Sequence, residues 1–258
     1  MNDIAAVWQN VGWKQIASAL VFVGIALVLS RKQNLGLEKS FLIGMVRVFV
    51  QLMVVGYVLN VVFSLKSVES IVGLLSVMVI IGAFTCGRSA PDVPHATVIA
   101  FIGMATGTLL SVGLLAGLSI VPSQPRQLIP LAGIAIGMGA NVGTLAFGRV
   151  RDEITANKAK IEAALCLGAT SSEAMQRHLR LSLRRTLAPT LVSLKLVGIV
   201  HLPGAMTGMI LAGANVFEAV SIQVVVFYLL LCQATVVATI VSHLAARQFF
   251  SSDHRLLA

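Results

Sequence analysis

Runs of about 20 apolar residues recur along this chain, near 12–30, 41–63, 68–86, 96–120, 127–147, 189–213 and 217–245, each ended by charge, proline or glycine. That is the length an α-helix needs to cross the hydrocarbon core of a bilayer. Lipid offers no partner to a free N–H or C=O, so a span must satisfy its own backbone, as a helix does. Only 11% of the residues are charged and 57% are hydrophobic, whereas soluble domains carry roughly 25% charged residues. The sequence predicts an all-α polytopic membrane protein of about seven transmembrane helices, forming one transmembrane domain over 1–258. The first run ends in Ser30-Arg31-Lys32 with no small-residue cleavage site, so it is read as a retained span and not as a signal peptide.

The formal charge of +9 does not point to nucleic acid, because Lys and Arg fall between the apolar runs and are not interleaved with aromatics. Arg31, Lys32, Lys39, Arg88, Arg149, Arg151, Lys158, Lys160, Arg177, Arg180, Arg184, Arg185, Arg247 and Arg255 fall on one side of the predicted membrane, against Lys14, Lys66 and Arg126 on the other. Cytoplasmic loops retain positive charge. The amino terminus is therefore expected outside and the carboxyl terminus in the cytoplasm. A tight turn is expected at Val121-Pro122-Ser123-Gln124-Pro125-Arg126. Cys86, Cys166 and Cys232 are odd in number and widely spaced, which indicates neither a disulfide framework nor a zinc site.

One long stretch is polar, Gly148 to Ala188, and it reads as two helices with an elbow. Ile154, Ile161 and Leu165 recur at helical spacing up to Leu167-Gly168, where glycine suits a helix terminus. Thr170-Ser171-Ser172-Glu173 fits a capping box that starts the next helix. Gly168-Ala169-Thr170-Ser171 would then project from the membrane on a helical stalk. Such an elbow suits docking to a partner, and a plain connecting loop is the alternative.

Within the predicted spans, Ser40, Gly44, Arg47 and Gln51 share one helical face. Arg47 either lines a pathway with Gln51, or is structural, snorkelling to the interface or pairing within the bundle as a permanent strut. Lys195 is within snorkelling reach. Pro203-Gly204 breaks the sixth run deep in the membrane, with His201, Met206, Thr207 and Met209 around it. Transporters use such breaks to build sites, although a packing kink would look the same. Thioether and imidazole suit soft cations, yet the five histidines show no H-x-x-x-H spacing, so no bound metal is assigned. Gly133, Gly137, Asn141 and Thr144 form one small-residue stripe and Gly103, Gly107 and Ser111 another, as close helix contacts require. Asn141 is the member that would reach a substrate. Asn215, Glu218 and Gln223 form either an outer vestibule or an interfacial rim.

No G-x-x-x-x-G-K-[ST] loop occurs, and no hydrolase or zinc-protease motif, so the chain is not expected to be an enzyme or its own ATPase. Glu162-Ala163-Ala164 followed by Gly168 resembles the E-A-A-x-x-x-G signature of ABC importer permeases, whose elbow sits in a cleft of the ATPase subunit. The downstream I-x-L-P is absent, since His178-Leu179-Arg180-Leu181 stands there. A likeness over nearly the whole chain is carried by Leu35-Gly36-Leu37-Glu38-Lys39, Arg47, Gln51-Leu52, Gly56-Tyr57-Val58-Leu59, Glu162 to Thr170, Leu202-Pro203-Gly204-Ala205-Met206-Thr207-Gly208 and Gly213-Ala214. These resemble the FetB-type permease family, although Ala205 stands where a second methionine is expected. The resemblance implies an ABC membrane subunit that exports iron or a related metal species and pairs with a separate ATP-binding subunit. ATP and Mg would be used by that partner, with no cofactor held by this chain. It also implies two copies in an inner membrane, with Glu162, Ala163, Ala164, Gly168, Ala169, Thr170, Ser171 and Glu173 as the coupling element. A gradient-driven secondary transporter or channel is the alternative; it would call for an intramembrane carboxylate, and only Glu218, at a margin, offers one.

Overall fold

The computed structural model describes residues 13–65, 68–120, 125–251 and 255–257. The chain divides into two compact units, Met1–Ser64 and Leu65–Ala258. No strand forms among the described residues.

The first unit holds α1 (Trp13–Lys32) and α2 (Glu38–Leu65). Asn34 and Gly36 turn the chain between them at φ 52° and 67°, and Ser30 Oγ donates to Glu38 Oε1 at 2.7 Å across the turn. Along α2, Ile43, Val46, Val50, Leu52, Val54 and Tyr57 are all exposed. A helix apolar on every side is stable only where lipid or protein covers it.

The second unit contains α3 (Val68–Arg88), α4 (Ala96–Gly117), α5 (Pro125–Ala156), α6 (Lys158–Cys166), α7 (Ser171–Leu196), α8 (Gly204–Leu211) and α9 (Val216–Gln248). α9 packs on α4, α5, α7 and α8, while α3 packs on α4 and α5. Small residues set these distances. On α4, the stripe Gly103, Gly107 and Ser111 is buried as predicted and meets Gln233, Val237 and Val241 of α9. On α5, by contrast, Gly137, Asn141 and Thr144 of the predicted stripe are exposed, and Ala132, Ala135, Gly139, Val142, Gly143 and Ala146 form the buried face. Gln233 accounts for the choice. It is fully buried, accepts from Ser111 Oγ at 2.8 Å and lies so close to α5 that a methyl group at Gly139 would sit 2.6 Å from its Nε2. Only a face with glycine at that level can receive a buried amide.

Among the described residues, five helices are long and apolar enough to cross a membrane: α2 over Glu38–Asn60, α3 over Glu69–Arg88, α4, α5 over Gln127–Ala156, and α9. The first predicted run forms α1, which is not among the five. The sixth is not one helix. Pro189 lies inside α7, which ends at Leu196, and the chain then turns at Gly198 (φ 77°), whose N–H is held by the His201 carbonyl at 3.1 Å. The break expected at Pro203-Gly204 is present, with Pro203 capping an α8 of 8 residues. At 1.5 Å per residue that helix is far shorter than the roughly 30 Å hydrocarbon core. α5 runs past its expected end at 147 to Ala156. Pro125 opens it, where its missing N–H costs nothing; residues 121–124 of the expected turn lie outside those described. Asn215 caps α9, accepting from the Phe217 N–H at 2.9 Å.

Candidate functional site

The elbow between α6 and α7 is closed on both sides by local hydrogen bonds. Gly168 has φ 91°, a conformation that a Cβ would oppose. That twist lets its N–H reach Leu165 O at 3.0 Å and the Ala169 N–H reach Ala164 O at 3.1 Å. This pair of bonds is a Schellman closure, which satisfies the last carbonyls of α6. Thr170 is extended and starts the next helix with the predicted capping box. The Glu173 N–H donates to Thr170 Oγ1 at 3.3 Å, and the Thr170 N–H donates to Glu173 Oε2 at 2.9 Å. The Thr170 backbone and hydroxyl, both donating to it, hold the Glu173 carboxyl below the usual carboxylate range.

Two anchors fix this elbow to the bundle. Ile161 of α6 is fully buried and Met175 of α7 is 4% exposed, both in the core that holds Phe147, Val150 and Ile154. The residue at the tip is the opposite case, with Leu167 90% exposed and Glu162, Ala163 and Cys166 exposed beside it.

Behind the elbow lies a polar cluster that the sequence reading did not single out. The Glu153 side chain is 5% exposed and pairs with His178 Nδ1 at 3.0 Å and Arg185 NH1 at 2.6 Å. Asn157 Nδ2 donates to the same carboxylate at 3.0 Å. An ionised carboxylate only accepts, so this contact selects the His178 tautomer with its proton on Nδ1. Ser182 Oγ donates to Arg149 O at 3.2 Å, and Arg151 pairs with Asp92 at 2.7 Å. Glu153 was legible in one respect: it interrupts the stripe Ala146, Val150, Ile154, Ile161, all buried. A charge on a buried stripe calls for a partner.

The residues expected along a pathway are divided between the two units. Arg47 and Gln51 are exposed on α2 of the first unit. In the second unit, Asn141 is exposed on α5, and His201, Pro203, Gly204, Met206, Thr207 and Met209 follow one another in the break and in α8. Thr207 Oγ1 donates to Pro203 O at 3.1 Å and steadies the start of α8. Met206 and Met209 are half-buried and His201 is exposed. Among the described residues no three His, Cys, Asp or Glu side chains converge as a metal cage.

Among the described residues, five helices long and apolar enough to cross a membrane, with a polar excursion whose elbow is closed on both sides, define a polytopic helical membrane protein. The chain belongs to UPF0014, described as an uncharacterised protein family, whose profile matches residues 13–250. It is 36% identical to the UPF0014 membrane protein STAR2 of Oryza sativa subsp. japonica, over 96% of this chain and 88% of the relative. Protein ALUMINUM SENSITIVE 3 of Arabidopsis thaliana is also 36% identical, over 95% and 90%. The probable iron export permease protein FetB of Escherichia coli (strain K12) is 31% identical, over 96% of each chain. No solved structure matches.

Proposed function

We propose that this chain is the membrane-spanning permease subunit of an ATP-driven ABC transporter, and that the elbow from Glu162 to Glu173 is where a separate ATP-binding subunit docks. The observation that carries the reading is the elbow: a Schellman closure and a capping box set back to back, with Leu167 90% exposed at the tip. A segment with both helix ends satisfied keeps its shape when pushed, so it can pass rigid-body motion to the helices that flank it. The near-full-length likeness to a probable iron export permease supports iron, or a related metal species, as cargo and export as direction.

On this reading the whole chain is one permease domain in an inner membrane. Its amino terminus lies outside and its carboxyl terminus in the cytoplasm, so that the excursion from 148 to 188 meets the ATPase. Two copies enclose the pathway. α1 and the broken segment of α7 and α8 complete the seven membrane-associated segments. Arg47, Gln51 and Asn141 face the pathway, with His201 to Met209 as the gating element. Partial ligation by thioether or imidazole suits an ion that must also leave. ATP and its Mg are bound and used by the partner.

Purification of the tagged permease coexpressed with its candidate ATP-binding subunit tests the reading. Leu167→Asp is expected to abolish copurification while the permease remains folded, and inverted vesicles holding both subunits are expected to take up Fe2+ only with ATP. Copurification undiminished by Leu167→Asp and by Gly168→Val refutes the docking assignment. Absence of ATP-dependent Fe2+ uptake refutes the cargo.

A further inference from the structure

Four polar ties from other elements converge on the last turns of α5, between Arg149 and Glu153. On one side Arg151 holds Asp92, in the turn between α3 and α4. On the other side α7 presents His178, Ser182 and Arg185, spaced i, i+4 and i+7 on one helical face. His178 and Arg185 take the two oxygens of Glu153, and Ser182 takes the Arg149 carbonyl between them. Asn157 adds a third donor to Glu153 from the point where α5 ends.

This arrangement is costly for a mere packing contact. Val150 and Ile154, beside Glu153 on α5, are fully buried without any polar group. A buried carboxylate must be desolvated, and a well-packed apolar residue commonly gives equal or greater stability. What the carboxylate adds is direction. It grips α7 at two points seven residues apart, about 10 Å along the axis, so α7 can neither slide nor roll on α5 without breaking a charge-assisted bond. His178 stands eight residues, two turns, beyond the Thr170 cap of the elbow. α5 in turn packs on α3, α4 and α9.

We propose that Glu153 is the positioning residue that locks α7 to α5, so that displacement of the elbow is delivered to the α4, α5 and α9 bundle and not dissipated as sliding of α7. This inference rests on the docking reading above. The test uses the permease with its ATP-binding subunit in lipid nanodiscs, with Cys86→Ser and Cys232→Ser, a spin label on native Cys166 at the elbow and a second on Thr239→Cys, an exposed position of α9. In the reference protein ATP with Mg is expected to change the distance distribution between the labels. A second pair, Thr144→Cys with Thr239→Cys, reports on the bundle itself.

With Glu153→Gln, copurification of the ATPase and ATP hydrolysis are expected to persist, while the ATP-driven change in the bundle pair falls by about fivefold or more, the scale of a typical coupling between sites. Arg185→Met, which removes one grip at a half-exposed side chain, is expected to give an intermediate loss, and Glu153→Asp a partial rescue over Glu153→Gln. A bundle response undiminished in Glu153→Gln overturns the proposal and leaves the docking reading standing. Loss of response only in proportion to lost thermal stability across the three variants also overturns it, as a structural role would give that pattern. Failure of the ATPase to bind the reference protein overturns both.

Discussion

Glu173 is the residue whose chemistry the local geometry fixes most fully. Its carboxyl accepts from the Thr170 backbone and hydroxyl, and those bonds lower its titration below that of a free glutamate. A folded-state pKa lower than the unfolded one gives stability that is present above the unfolded pKa and lost as pH falls through the folded pKa. The start of α7 is therefore expected to keep its amide protection through neutral and mildly acidic pH and to lose it below the ordinary carboxylate range, as hydrogen exchange at residues 171–174 would show. Thr170→Ala removes the hydroxyl, at a cost of about 1 kcal/mol to the helix start, and should weaken that pH dependence without abolishing it, because the Thr170 backbone N–H, the larger contributor, still donates to Glu173. Unchanged exchange in the variant would mean that the cap contributes nothing to the elbow. Glu153 is the contrasting residue, since two of its three partners, His178 and Arg185, come from α7 and only packing brings them to it.

Among the elements, α5 shows how two candidate faces are told apart. Glycines at 133 and 137 and glycines at 139 and 143 both lie four residues apart, so spacing alone permits either face. A methyl group at Gly137 would meet nothing within 4 Å, whereas one at Gly139 would lie 2.6 Å from Gln233 Nε2. Gly137→Ala is therefore expected to be neutral or to stabilise by about 0.5–1 kcal/mol through helix propensity. Gly139→Ala should destabilise by about 1–3 kcal/mol through overpacking, lowering the thermal midpoint in detergent. Equal midpoints for the two variants would show that α5 does not present Gly139 to α9. α7 makes the complementary point: its apolar tail and the run to 213 promise a span by length, yet a helix that meets Gly198 and Pro203 stops and restarts.

For the molecule as a whole, the distribution of basic residues makes a prediction about sidedness. Fourteen Lys and Arg flank the side expected to carry the elbow, and retention of positive charge in the cytoplasm leads us to expect Cys166 on that side. Cys166 is exposed while Cys86 is buried. In a Cys232→Ser background, a membrane-impermeant maleimide is expected to label inverted vesicles promptly and right-side-out vesicles only after permeabilisation. The reverse pattern would invert the orientation and remove the elbow from reach of any cytoplasmic ATPase.

What the sequence determined by itself was everything that depends on near neighbours or on the solvent around the chain. Apolar runs of bilayer length require helices in lipid, and Leu167-Gly168 with Thr170 to Glu173 encodes an elbow, because both closures are hydrogen bonds between residues close in the chain. The full-length likeness to the family was legible on the same terms, as residues in order. Tertiary structure alone decided which face of α5 is buried, since that turned on where Gln233 of α9 fell. It also decided that Glu153 would meet residues 25 and 32 positions away. Helical periodicity marks a face as special; only the approach of another helix says what that face must accommodate.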